Sequence, residues 1–161
     1  AIQWKEFDFN IHFQGAGKSS YMLKGPAVYP FSEGAWGNVF TDATKSGKRW
    51  ISRDISGDPA TENPNAKYPR LTYGWNANNY QESTFWLNDG RYLRLKTLEI
   101  GYTVPKKFTN KLRMNNARIY FVGNNLALWS PFKLWDPELG SGNGMKYPLA
   151  KNFTLGLTLT F

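Results

Sequence analysis

The last ten residues of the chain alternate strictly between apolar and polar side chains, and this pattern constrains the fold more than any other feature. From residue 152 onward, the even positions hold Asn, Thr or Gly, and the odd positions hold Phe153, Leu155, Leu157, Leu159 and Phe161. A period of two predicts a strand with one apolar and one polar face. Soluble strands usually have about five or six residues, whereas about nine to eleven span a bilayer when tilted. The pattern therefore favours a transmembrane strand.

Three further segments are predicted to be strands. Residues 7–15 repeat the alternation, with four large apolar side chains on one face: Phe7, Phe9, Ile11 and Phe13. In residues 92–104 the apolar phase changes from odd to even positions near Lys96 and Thr97, which predicts a β-bulge. Residues 117–128 begin with β-branched and aromatic side chains. The chain is thus expected to be all-β, with about four long strands.

The connections between these strands are very unequal in length. Residues 106–116 form a short connection and residues 129–151 a medium one, whereas residues 16–91 form a connection of 76 residues. Alternating short and long connections are typical of outer-membrane barrels, with short periplasmic turns and long extracellular loops. We therefore expect the 16–91 and 129–151 segments to be extracellular. Inside the longest connection, residues 50–52 suggest a short strand.

Four strands cannot close a barrel by themselves. The smallest closed barrels have about eight strands, and an open sheet edge cannot lie in lipid because its backbone groups would have no hydrogen-bond partners. The sequence therefore predicts part of a larger antiparallel transmembrane barrel, or a subunit whose edges another chain covers.

Composition excludes several kinds of chemistry. The chain has no cysteine and a single histidine, His12, so thiol catalysis, Cys-ligated zinc and multi-histidine metal sites are excluded. No apolar run approaches the roughly 18 residues of a transmembrane helix. Four acids lie near Gly or Pro, and we interpret them as turn-forming residues rather than calcium ligands or a glycosidase pair: Asp54, Asp58, Asp136 and Glu138. We expect no catalytic residue, metal or cofactor.

The net charge of +8 comes from 20 basic and 12 acidic residues, and it is unevenly distributed. Residues 105–118 contain five basic residues and no acid. A single short cationic connection is a weak signal for nucleic acid, so we expect no nucleic-acid partner. A solvated turn or a patch facing anionic lipid headgroups is the preferred interpretation.

Several motifs resemble, in order and spacing, the C-terminal part of the SusC/RagA-type TonB-dependent outer-membrane transporters. The resemblance is specific over residues 50–161 and more general over residues 1–15. Its main motifs are NPNAKYPRL at 63–71, STFWLNDGRYLRLK at 83–96, GYTVP at 101–105, RIYFVGNNL at 118–126, DPE at 136–138, YP at 147–148 and FTLGLTLTF at 153–161.

The resemblance implies a fold, a location and partners. It implies a 22-stranded barrel with a plugged lumen, of which residues 1–161 supply about the last four strands. Such proteins are multi-pass proteins of the bacterial outer membrane in Bacteroidota, and they import oligosaccharides, peptides or other large nutrients. The implied partners are a SusD-like surface lipoprotein, the remainder of the barrel and its plug, TonB through an N-terminal region, the outer-membrane assembly machinery, and the lipid bilayer.

The resemblance also assigns roles to individual residues. The closing strand, with Phe153, Leu155, Leu157, Leu159 and Phe161, resembles the signal read by the assembly machinery. Interfacial aromatic girdles are expected to include Tyr102, Tyr120, Phe121 and Trp129. Four tryptophans of the long connection are expected either to contact the lid protein or the substrate, or to pack within the loop: Trp36, Trp50, Trp75 and Trp86.

Two other functions remain open at this point. A SusC-like barrel could act as a scaffold subunit of a larger outer-membrane complex instead of an importer. The tryptophans could also belong to a soluble carbohydrate-binding β-sandwich.

Overall fold

The computed structural model describes residues 1–32, 37–73 and 76–161 of the chain. These residues form two compact units. We call the first the sheet unit; it comprises Ala1–Ser19, Gly90–Leu139 and Tyr147–Phe161. We call the second the loop unit; it comprises Ser20–Asp89 and Gly140–Lys146.

The sheet unit is built on one antiparallel sheet of five strands in the order β1-β2-β5-β6-β7. The bounds are Ile2–Trp4 for β1, Phe7–Ala16 for β2, Tyr92–Thr103 for β5, Asn116–Trp129 for β6 and Asn152–Thr160 for β7. All four predicted long strands are therefore confirmed. The short strand β1 was not predicted; it pairs with β2 through a tight turn in which Lys5 adopts a φ of 52°.

The pairing register gives this sheet one apolar and one polar face. Directly paired residues of antiparallel strands point to the same face. The apolar face carries Phe7, Phe9, Ile11 and Phe13 of β2, Leu93, Leu95, Leu98, Ile100 and Tyr102 of β5, Ile119, Phe121 and Trp129 of β6, and Phe153, Leu155, Leu157 and Leu159 of β7. The opposite face carries most of the charged and amide side chains of the sheet.

A β-bulge keeps the central strand in phase with its neighbours. The register of β5 against β6 shifts between Leu95 and Thr97, and β2 shifts against β5 between His12 and Phe13. An extra residue at this point moves the apolar positions from odd to even without changing their face. The bulge predicted from the change of phase is thus confirmed.

The apolar face is open to its surroundings. Leu155 is 78% exposed, Leu157 61% and Phe13 52%. Within the described residues the only other sheet is a pair of three-residue strands in the loop unit, β3, Ser20–Met22, and β4, Leu87–Asp89. A sandwich needs two extended sheets, so the described part of the chain does not support the sandwich interpretation. Exposed apolar faces of this extent belong to membrane or protein interfaces.

The height of the apolar face fits a bilayer. Leu93 and Tyr102 of β5 mark its two ends, nine residue steps apart. At about 3.3 Å per step and a tilt of about 40°, this distance corresponds to a band about 23 Å tall, close to the roughly 25 Å of outer-membrane barrels.

The loop unit contains short elements. Its strands are β3, Ser20–Met22, and β4, Leu87–Asp89, which pair antiparallel. Its helices are α1, Thr41–Thr44, and α2, Arg53–Ser56, followed by a 3₁₀ turn at Pro59–Thr61. This unit holds most of the predicted 16–91 connection, and its extracellular location stays a prediction.

The strand predicted at residues 50–52 is wrong. Ser52 is the N-cap of α2 and accepts a hydrogen bond from the Asp54 N–H, while Gly57 ends the helix with a φ of 75°. A Ser at the N-cap and a Gly after the last turn favour this helix over a strand. Asp58 in turn caps the following 3₁₀ turn by accepting from the Ala60 N–H at 2.8 Å, as a turn-forming acid should.

The two remaining connections differ from simple loops. Residues 105–115 fold into helix α3, Lys106–Thr109, and a 3₁₀ turn at Asn110–Leu112. The 129–151 connection is divided, because its 3₁₀ turn at Pro137–Leu139 belongs to the sheet unit and residues 140–146 to the loop unit. None of the helices among the described residues is long and apolar enough to cross a membrane.

The face assignment can be tested on β7 of the full-length protein. Leu155→Arg puts a charge near the middle of the apolar face and should destabilise the folded barrel in lipid by about 2 to 4 kcal/mol. The matched control is Thr154→Arg, whose side chain lies on the polar face beside Val122. Urea unfolding in lipid vesicles measures both. Equal destabilisation by the two variants contradicts the assignment of the faces.

Candidate functional site

The polar face of the sheet carries two ionic clusters, and we treat them as the candidate functional site. The first, the Arg118 cluster, spans the three adjacent strands β2, β5 and β6. The Arg118 Nη2 atom lies 2.6 Å from an oxygen of Asp8 and 2.7 Å from an oxygen of Glu99. One guanidinium therefore joins two carboxylates across three strands.

A glycine makes room for the Arg118 cluster. Gly101 lies between these side chains on β5, and a Cβ atom at this position would be 2.3–2.6 Å from the Asp8 oxygens and the Arg118 Nη2 atom. A Cβ atom at 101 would make the Asp8 carboxylate and the Arg118 guanidinium, which are the ends of flexible side chains, move aside. The Gly in the GYTVP motif thus leaves room for the present geometry of the cluster.

The second cluster, the Arg94 cluster, ties a connecting segment to the sheet. The Arg94 guanidinium forms ion pairs with Asp136 and, at 2.8 Å, with Glu138. Glu138 also accepts hydrogen bonds from Lys96 and from Gln14, the latter at 3.2 Å. The Arg94 side chain is only 4% exposed, and those of Asp136 and Glu138 are 13% and 15% exposed.

Sequence reasoning found only part of the role of these acids. Asp136 does form a turn, since its side chain accepts from the Glu138 N–H at 3.0 Å. Its ion pair with Arg94 was not predicted. The sequence does contain a signal for this pairing. An Asp-Pro-Glu turn places two carboxylates on one side, and Arg94 and Lys96, two residues apart on a strand, are two cations that can face them.

The geometry of the two clusters suits a charged lining rather than catalysis. Each carboxylate is engaged by a cation. Among the described residues, no group of three or more acids and histidines is placed to hold a metal ion. The Arg94 cluster holds residues 136–139 against the polar face, and both clusters keep that face hydrophilic.

Three of the four expected girdle residues lie on the apolar face. Tyr102 and Trp129 lie at its opposite ends, and Phe121 lies between them, paired with Ile100 and Leu155. Tyr120 is different. Its ring covers Gly156 on the polar face and lies 5.1 Å from the Arg118 guanidinium, so it is not a lipid-facing residue.

The predicted assembly residues all lie on one strand or just after it. Phe153, Leu155, Leu157 and Leu159 line the apolar face of β7, and Phe161 follows the strand with 77% of its surface exposed. One edge of β7 pairs with β6, and in the described part of the chain no strand pairs with its other edge.

The tryptophans of the loop unit have unequal surroundings. Trp86 is only 6% exposed, packs against Tyr29 and Phe85, and donates its Nε1–H to the Asn79 carbonyl, so it is a core residue rather than an exposed contact. Trp50 lines an open cleft with Tyr68 and Phe85. Trp36 and Trp75 lie outside the described residues.

Two features stand out in the loop unit, one in its core and one on its surface. The rings of Tyr29 and Tyr80 stack 4.5 Å apart, and burial raises the pKa of both hydroxyls. On the surface, Asp42 accepts hydrogen bonds from Lys67, Lys45 and Tyr68. The Lys67 hydrogen bond is the main cause that lowers the pKa of Asp42 to about 2, and the same contact raises the pKa of Lys67.

A single sheet with an exposed apolar face and a charged opposite face defines a section of the wall of a transmembrane β-barrel. No family model matches the chain. Two curated proteins of Formosa agariphila match 99% of it: TonB-dependent receptor P26, 32% identical, and TonB-dependent receptor P3, 25% identical. The chain spans only 16% and 15% of the lengths of these relatives.

Solved structures have the same fold. A structure of the RagAB peptide transporter aligns with a TM-score of 0.72 at 22% identity, covering 99% of this chain and 16% of the solved chain. Structures of the RagAB peptide importer in closed-closed and open-open states each align with a TM-score of 0.70. The chain therefore belongs to the TonB-dependent receptors, as its motifs indicated. The alignment with the RagAB structures shows that it has the fold of a segment of such a barrel. These relatives are named as receptors and transporters, in agreement with a non-enzymatic role.

The buried ion pairs generate a prediction about residues 136–139. Arg94→Gln removes the main cation from the nearly buried Asp136 and Glu138 carboxylates. This loss should lower the free energy of unfolding by about 3 to 5 kcal/mol. Hydrogen exchange of the full-length receptor should show faster exchange at residues 136–139.

The control for this variant is Arg118→Gln. Its cluster is about one quarter exposed, so solvent compensates for part of the loss and residues 136–139 should keep their protection. If Arg94→Gln leaves the exchange of residues 136–139 unchanged, the Arg94 cluster does not hold this segment.

Proposed function

We propose that the chain forms part of the wall of a TonB-dependent importer of large polar nutrients, either oligosaccharides or peptides. The observation that carries the proposal is the two-sided sheet: its apolar face is exposed for lipid, and its opposite face is lined by ion pairs. A hydrophilic inner wall is required for solutes that cannot cross lipid. The relationship to TonB-dependent receptors supports an energised importer over a passive pore.

The proposal includes a SusD-like surface lipoprotein as the lid of the barrel. The loop unit would lie on the extracellular side and offer its surface, including Trp50 beside Tyr68 and Phe85, to this partner or to the substrate. The remainder of the barrel, the plug and the region that meets TonB would lie elsewhere in the full receptor. The four long strands of this segment support multi-pass insertion in the outer membrane as part of the proposal.

Both substrate classes stay in the proposal. The RagAB structures are titled as those of a peptide transporter and a peptide importer. That description concerns RagAB, and an identity of 22% extends only the fold to this chain. The polar face described above carries both acids and bases, which suits neutral oligosaccharides as well as peptides.

An uptake experiment tests the importer. Cells producing the full-length receptor should accumulate a labelled oligosaccharide or peptide mixture, and the accumulation should stop when the receptor or TonB is deleted. Restoring the receptor from a plasmid is the control. Uptake that is unchanged by both deletions, with the receptor still present in a multiprotein complex, would favour the scaffold function instead.

We further propose that β7 and Phe161 serve as the signal for barrel assembly. The free edge of β7 can add to another sheet by main-chain pairing, and its alternating side chains supply specificity. Deleting Phe161 from the full-length receptor should lower its level in outer-membrane fractions several-fold, whereas Phe161→Tyr, which keeps the aromatic ring, should retain it. Quantitative immunoblotting measures both. Normal levels after the deletion contradict the proposal.

A further inference from the structure

The turn between β5 and β6 carries a concentration of positive charge that the fold does not use. Four cations and no acid occur in residues 106–113: Lys106, Lys107, Lys111 and Arg113. All four are exposed, and none forms an ion pair with another residue in the described part of the chain. By contrast, Arg94 and Arg118 within the sheet are fully engaged by carboxylates.

Large apolar side chains are exposed in the same turn. Phe108, which follows two lysines, is 54% exposed, and Leu112, between Lys111 and Arg113, is 67% exposed. Thr109, between them, is the buried residue of helix α3. The turn therefore presents both apolar and cationic side chains outward.

The turn lies at one end of the apolar face. It follows β5 directly after Tyr102 and Thr103, and Asn116, the first residue of β6, pairs with Thr160 of β7. Two further exposed aromatic residues belong to this end. Trp4, 61% exposed, pairs with Phe7, which in turn pairs with Tyr102, so Trp4 lies at the same end of the sheet as Tyr102. Phe161 directly follows Thr160 at the end of β7.

A fifth cation belongs to this group. The Lys5 Nζ atom lies 5.3 Å from the centre of the Trp4 ring, a cation–π contact. The acids near this end are Glu6, Asp8 and Glu99, of which Asp8 and Glu99 are already paired with Arg118. The excess of charge at this end of the sheet is therefore strongly positive.

Aromatic rings at the edge of a lipid-facing band, with cations just beyond them, have the chemistry of a membrane interface. Aromatic side chains favour the headgroup level, and lysine or arginine near an anionic membrane surface is attracted to the lipid phosphates. The apolar band ends at Tyr102, so the next residues along the chain meet the headgroups.

We infer that residues 105–115, together with Trp4, Lys5 and Phe161, form a binding surface for anionic glycerophospholipids. Phe108 and Leu112 enter the boundary of the acyl chains, and the lysines contact the phosphate and the anionic headgroup. The continuity of this surface with the lipid-facing band favours a lipid over an acidic protein as its occupant. The surface would hold the barrel at a defined depth in the leaflet that it meets.

The test uses the full-length receptor, delipidated in detergent and examined by native mass spectrometry. Phosphatidylglycerol and phosphatidylcholine with identical acyl chains are titrated separately. The wild type should bind phosphatidylglycerol more tightly than phosphatidylcholine. The triple variant Lys106→Gln, Lys107→Gln, Lys111→Gln should bind phosphatidylglycerol at least about tenfold more weakly, because each lysine near anionic lipid contributes attraction.

The matched control removes the same charge from the other end of the sheet. Lys18, Lys133 and Lys151 are exposed residues that lie next to the opposite ends of β2, β6 and β7. Changing all three to Gln should leave the preference for phosphatidylglycerol intact. Equal loss in the two triple variants would overturn the inference, because it would show a response to net charge alone.

A second variant separates the apolar contacts from the charges. Phe108→Ser with Leu112→Ser should weaken the binding of both lipids and leave their ratio unchanged. Heat-dependent gel mobility confirms that each variant is a folded barrel. Equal binding of the two lipids by the wild type, or a stronger preference for lipid A than for phosphatidylglycerol, would also overturn the inference.

Discussion

The requirement that every backbone amide in lipid finds a partner determines the rest of this structure. Water cannot satisfy the N–H and C=O groups of a strand inside the hydrocarbon layer, so each strand depends on its two neighbours. This dependence makes register decisive, because a slip by one residue moves every side chain to the other face. The bulge between Leu95 and Thr97 preserves the register, because the extra residue changes the phase of the apolar positions in β5 while its leucines stay on the lipid-facing side.

The two ionic clusters on the polar face are stabilised in different ways. The Arg118 cluster connects three strands and is partly exposed, so water also solvates its charged groups. The Arg94 cluster is nearly buried and must be complete to be tolerated, because an unpaired charge there has little water to compensate it. Its four side-chain contacts explain how a segment without regular structure stays against the sheet.

The strands could be predicted from the sequence because their periodicity is local. The alternation from Phe153 to Leu159 and from Phe7 to Phe13 needs no tertiary information, and the change of phase near Lys96 even predicted the bulge. The site was less predictable, because it depends on which residues meet across long separations in the chain. Asp136 and Arg94 are 42 residues apart, and Asp8 and Arg118 are 110 apart. Tyr120 and Trp86 show the same limit, since composition predicts an aromatic residue but not the face on which it lies.

The open edges of β1 and β7 link this segment to the rest of a receptor. In the part of the chain that the structure describes, β5 and β6 are paired along both edges, β2 is paired with β1 only over residues 7–9, and β7 has one unpaired edge beside the exposed apolar face. A strand in that position is unstable in water, because its leucines are exposed, and unstable in lipid, because half of its backbone groups are unsatisfied. Only pairing with further strands removes both penalties. The same side-chain pattern that makes β7 a good barrel strand therefore makes barrel closure a condition of its stability.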